Sequence, residues 1–67
     1  MTMFKVRPTN AQLDNLWARA HQTGLQIKYK DEGDGLLMLV LENRSHARML
    51  RDILDSEGIH VLYDADW

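Results

Sequence analysis

Arg44, Arg48 and Arg51 recur at i, i+4 and i+7, a spacing that lines them along one stripe of a helix, with His46 in its first turn. Guanidinium groups beside the free amides of a helix start can hold an anion, such as a phosphate, a nucleotide or an acidic partner. Asp52, Asp55 and Glu57 follow them, so the charge order runs against the helix macrodipole, which favours acids first and bases last. The plainer account is that Arg48–Asp52 and Arg51–Asp55 form i, i+4 ion pairs on a solvated face. Leu41-Glu42-Asn43-Arg44-Ser45 leads into this helix without a glycine-rich phosphate loop, which excludes an NTPase of the P-loop kind.

Other chemistries find less support. His21, His46 and His60 lack the paired or i, i+4 spacing of a metal face. Ser45 and Ser56 have no base and orienting acid in a recognisable pattern. Asp31, Glu32 and Asp34 lie in a segment far shorter than a calcium-binding EF-hand loop and without its distal glutamate, so a solvated turn accounts for them. There is no cysteine, which removes disulfides, zinc–thiolate sites and thiol catalysis together. We therefore expect no enzyme activity, no cofactor and no metal.

Six elements must position these groups. Phe4 and Val6 alternate with Met3, Lys5 and Arg7, the period of a half-buried strand over 3–7, and Pro8 ends it. Thr9 and Gln12 have capping-box spacing, Leu13, Leu16, Trp17 and Ala20 recur as a helical stripe, and Gly24 suits a left-handed terminus, which predicts a helix over 10–23. Leu25, Ile27 and Tyr29 alternate with polar residues in a strand over 25–30. Asp31-Glu32-Gly33-Asp34-Gly35 reads as a turn, and the unbroken apolar run 36–41 as a central strand. Asn43 or Ser45 caps a second helix over 44–57 carrying Ala47, Leu50, Ile53 and Leu54, Gly58 ends it, and a strand over 59–63 follows. Strand–helix–strand twice over, joined by a hairpin, is the split βαβ arrangement of an α+β ferredoxin-like βαββαβ domain. One such domain spans residues 1–67, with a four-stranded antiparallel sheet and both helices on one face.

That architecture leaves the second sheet face without a layer. Phe4, Val6, Leu25, Ile27, Tyr29, Ile59, Val61 and Tyr63 are expected to turn toward the helices, and Glu42 outward. Leu36, Met38 and Val40 then share the open face with Met3, Leu62 and a basic margin of Lys5, Arg7, Lys28, Lys30 and His60. Exposed contiguous apolar surface marks an interface, so the face is expected to pair with a second copy or dock on a larger protein, with Trp67 as a further aromatic anchor. Single-stranded nucleic acid could use Lys5, Arg7, Lys28 and Lys30. The central strands lack the aromatics on which bases stack, which argues against it.

The balance of the chain agrees with an interaction module. Its 67 residues carry a net charge of −2, with five Lys/Arg against one acid in residues 1–30 and nine acids against three Arg in residues 31–67. A chain this short buries only about 60% of its unfolded surface, so association would add welcome stability. No apolar stretch is long enough for a membrane helix. The start of the chain has no secretory pattern, and a cytoplasmic location without membrane contact is expected.

The segment Ser45–Val61, which closes on the phrase Leu54-x-x-x-Gly58-Ile59-x-Val61, resembles the helix–Gly–Ile–strand segment of small ACT-like domains, in particular a bacterial family assigned to signal transduction. The resemblance covers about a quarter of the chain. It implies a regulatory, non-enzymatic role on the same βαββαβ fold. ACT domains hold small effectors near the loop after the first strand, often with a glycine there, whereas this chain has Arg7-Pro8-Thr9-Asn10.

Overall fold

The computed structural model describes residues 1–66. Strand β1 (Thr2–Val6) leads into helix α1 (Asn10–Thr23), strands β2 (Lys28–Gly33) and β3 (Leu36–Leu41) form a hairpin, and helix α2 (Arg44–Ser56) precedes strand β4 (Val61–Asp66). The sheet runs β2-β3-β1-β4 with every neighbouring pair antiparallel. Each helix thus connects two strands with a third between them, the split crossover of the ferredoxin-like fold.

Both helices begin and end as their local chemistry requires. Thr9 Oγ1 accepts from the Gln12 amide at 3.1 Å while Gln12 Oε1 accepts from the Thr9 amide at 2.9 Å, a complete capping box. Asn43 Oδ1 accepts from the Ser45 amide at 2.8 Å to open α2. At the far ends, Gly24 (φ 70°) and Gly58 (φ 71°) take the left-handed conformation. The Leu25 amide then donates back to Ala20 O and the Gly24 amide to His21 O, and Ile59 and Gly58 repeat this on Leu54 O and Asp55 O. Both are Schellman motifs, with the apolar residue after glycine buried over the helix it closes.

Those motifs move two strands from their expected places. Leu25 and Ile59 continue an alternating pattern into the strands, which suggested strands over 25–30 and 59–63. Their amides are committed to helix ends, so ladder pairing starts only at Lys28 and Val61 and extends to Gly33 and Asp66. The other elements stand within a residue of expectation. The hairpin turns on Asp34 (φ 55°) and Gly35 (φ 76°), the two positive-φ positions of a type I′ turn, and Asp31 Oδ1 takes the Gly33 amide at 2.8 Å.

The core lies between the sheet and the two helices. Phe4, Val6, Leu37, Leu39 and Leu41 supply its floor, and Leu16, Ala20, Leu50, Ile53 and Leu54 its roof. Among the described residues no polar or charged side chain is buried. The helices are also tied to each other at one end. Gln12 Nε2 donates to Glu57 O and Gly58 O at 3.2 and 3.3 Å, and Arg19 reaches Ser56 Oγ and, at 3.1 Å, Glu57 Oε2.

Of the two tyrosines expected to turn toward the helices, Tyr29 does so without being buried and Tyr63 does not. Tyr29 pairs with buried Leu39 and so lies on the helix side, but β2 is an edge strand. Tyr29 is therefore 65% exposed, and its ring leans on Trp17 of α1 at 5.0 Å between centroids. Tyr63 sits on the other face altogether. Val6 pairs with Val61 while Lys5 pairs with Tyr63, so Leu62 is an extra residue in β4 and the alternation inverts beyond it. A one-residue slip exchanges faces for every later side chain, which turns Tyr63 and Ala65 to the open face and Asp64 and Asp66 to the helix side.

Candidate functional site

The register places two rows of side chains straight across the open face. One holds Lys28, Val40, Met3 and Ala65, and the next Lys30, Met38, Lys5 and Tyr63. Leu36 extends the apolar column on β3, in which Leu36, Met38 and Val40 are each half-buried between buried neighbours. Leu62, in the bulge of β4, and Tyr63 remain 51% and 53% exposed. An apolar band therefore runs down β3 and across β1 to β4, as the β3 pattern requires. Tyr63 joins it as an aromatic that sequence periodicity sent the other way. Trp67 lies outside the described residues.

The basic margin is partly neutralised. Lys5 stands at the centre of the face, with its ammonium 3.3 Å from Glu32 Oε1 on the far side of β3 and 5.9 Å from the centroid of the Tyr63 ring. Lys28 pairs with Glu42 at 3.1 Å. Of the four cations expected on this face, Lys30 and Arg7 alone have no acidic partner among the described residues. Glu32, which seemed a turn residue in the sequence, is thus a structural part of this face, and the hairpin bulge at Asp31/Gly33 carries it there.

The arginine stripe lines a different feature. Arg44, Arg48 and Arg51 border an open groove of about 630 Å³ between α2 and the edge strand β4, which Phe4, Ala47 and Met49 also line. The opposite wall is acidic because of the parity change in β4. Arg51 Nη2 meets Asp64 Oδ2 at 2.6 Å, and Arg44 Nη2 meets Asp66 Oδ2 at 3.6 Å. The helix-internal pairs Arg48–Asp52 and Arg51–Asp55 do not form among the described residues; Arg51 reaches Asp64 of β4 across the groove instead. His46 sits about 200° round the helix from Arg44 at 100° per residue. It lines a separate hollow with Asn43, Leu25, Ile27 and Glu42. The four expected anion ligands are therefore not brought together. Arg48 is the one arginine of the stripe without an ion pair among the described residues.

A consequence can be measured. Arg51 holds β4 to α2 through Asp64 and lays its guanidinium 5.3 Å over the Phe4 ring, so Arg51→Ala is expected to lower stability by about 1 kcal/mol. Arg48→Ala is expected to change it by less than about 0.5 kcal/mol. Urea unfolding followed by circular dichroism reads both. Equal losses would mean that the Arg51–Asp64 contact does not fasten the strand.

Among the described residues no three histidine or acidic side chains gather into a metal-binding group, and no helix is long and apolar enough to cross a membrane. Compared with protein-family models and with curated proteins, the chain matches none.

Proposed function

We propose that this chain is a non-enzymatic regulatory or adaptor module that acts by protein–protein contact through its open sheet face, pairing there with a second copy. The observation that carries the reading is the uncovered row Leu36, Met38 and Val40, continued by Met3 on β1 and flanked by Tyr63. Leaving such surface in water costs about 25 cal/mol per Å², which a matching apolar face recovers. The ion pairs Lys5–Glu32 and Lys28–Glu42 favour a protein over a nucleic acid, since a phosphate backbone would have to displace a glutamate from each lysine. The resemblance of Ser45–Val61 to ACT-like regulatory domains supports the same class of role.

Sedimentation equilibrium at low and moderate salt tests it. The expected result is a dimer whose dissociation constant is insensitive to salt, and a monomer for Met38→Glu. That variant should keep its unfolding free energy within about 1 kcal/mol, because Met38 points away from the core. A wild-type monomer at every concentration would remove the reading. Salt-sensitive binding of a single-stranded oligonucleotide would put the nucleic-acid alternative on Lys5, Arg7, Lys28 and Lys30 in its place.

A further inference from the structure

We infer that the two copies pair about a two-fold axis parallel to the strands, so that β2 of each lies over β4 of the other. This rests on the open face being the dimer surface, and it specifies which residues meet there.

Area sets the occupant. The chain measures 26 × 25 × 17 Å, and the open face, four strands wide, carries the continuous apolar band. At full overlap two such outlines would bury at most about 1,300 Å², which reaches the roughly 1,200–2,000 Å² of specific interfaces. A second copy brings a face of the same outline and the same apolar band.

Charge sets the orientation. Two flat faces related by a two-fold axis between them can stack with strands aligned in two ways. An axis perpendicular to the strands sets β2 over β2 and β1 over β1. The edge bearing Lys28 and Lys30 then meets its own copy, as does the strand bearing Lys5, and like charges are stacked where water is being removed. An axis parallel to the strands reverses the strand order and keeps each row over itself. In the row Lys30, Met38, Lys5, Tyr63 it sets Lys30 over Tyr63 of the second copy, and Met38 over the aliphatic stem of the second copy's Lys5. In the row Lys28, Val40, Met3, Ala65 it sets Val40 over Met3 of the second copy.

This arrangement also answers the face's one unpaired lysine. Lys30 has no acidic partner within its own chain among the described residues, and Tyr63, which it would cover, is 53% exposed. An ammonium over a tyrosine ring is an attractive contact that strengthens as water leaves. Lys5 enters the interface with Glu32 already beside it, so its charge is not buried alone. The parity change at Leu62 is what makes the match, since without it Tyr63 would face the helices.

The absence of cysteine makes the test clean. Lys30→Cys and Tyr63→Cys are made separately at the rim of the face, leaving Met3, Met38 and Val40 intact. Each variant, and an equimolar mixture, is treated with a bismaleimide whose reach is one sheet-to-sheet spacing, about 10 Å. In the inferred pairing two copies of residue 30 are offset by three strand spacings, about 14 Å, in addition to that gap. Covalent dimer is therefore expected in the mixture and lost in either variant alone. Covalent dimer from Lys30→Cys alone, or none in the mixture while sedimentation shows a dimer, would overturn the pairing and leave the surface standing. A wild-type monomer in sedimentation would overturn both.

Discussion

Phe4→Ala is expected to abolish the folded state at ordinary temperature. Phe4 sits on the central strand β1 with 1% of its surface exposed, between the helices and the sheet. Truncating a buried phenylalanine costs about 3–5 kcal/mol in lost transfer energy and residual cavity. A single core in a chain this short rarely supplies more than about 3–5 kcal/mol in total, so the loss consumes the whole margin. The ring is also the platform for the Arg51 guanidinium, so the groove wall loses its support in the same step. Circular dichroism without denaturant should show a largely unfolded chain, whereas Phe4→Leu, which refills most of the volume, should retain a cooperative urea transition. A Phe4→Ala protein with a wild-type midpoint would mean that the core does not depend on β1.

Gln12→Ala is expected to cost about 2 kcal/mol, a large loss for an unburied polar residue. The side chain works at both ends. Its oxygen takes the Thr9 amide and completes the cap of α1, while its nitrogen donates to Glu57 O and Gly58 O where α2 ends. Those carbonyls belong to the stretch that turns the chain from α2 into β4, so one side chain couples the start of the first helix to the end of the second. Gln12→Glu separates the two duties. A carboxylate can still accept from Thr9 but cannot donate to a carbonyl, so Gln12→Glu should lose the second contact and keep the cap, whereas Gln12→Ala loses both. The stability of Gln12→Glu in urea should fall between wild type and Gln12→Ala. A loss as small as that of an ordinary exposed residue, below about 0.5 kcal/mol, would show that the tie between the helices contributes nothing.

The residues themselves determined the elements and the fold. Thr9 with Gln12, Gly24 and Gly58, the Asp34-Gly35 turn and the unbroken run Leu36–Leu41 are local signals, and they suffice for βαββαβ because each acts within a few residues of the chain. The apolar column of Leu36, Met38 and Val40 was equally legible, since a central strand must alternate about buried Leu37, Leu39 and Leu41.

Tertiary structure decided what periodicity could not. Leu25 and Ile59 satisfy a strand pattern and a Schellman motif equally well in sequence, and only the hydrogen bonds of their amides to Ala20 and Leu54 choose between them. The bulge at Leu62 arises from the pairing of β4 with β1, two strands separated by most of the chain, so no local signal announces it. That single extra residue moves Tyr63 to the open face and aims Asp64 and Asp66 at the arginines of α2. The character of both surfaces, a partly neutralised apolar face and a groove of opposed charges, thus follows from one register shift, because in a sheet the register assigns every side chain to its face.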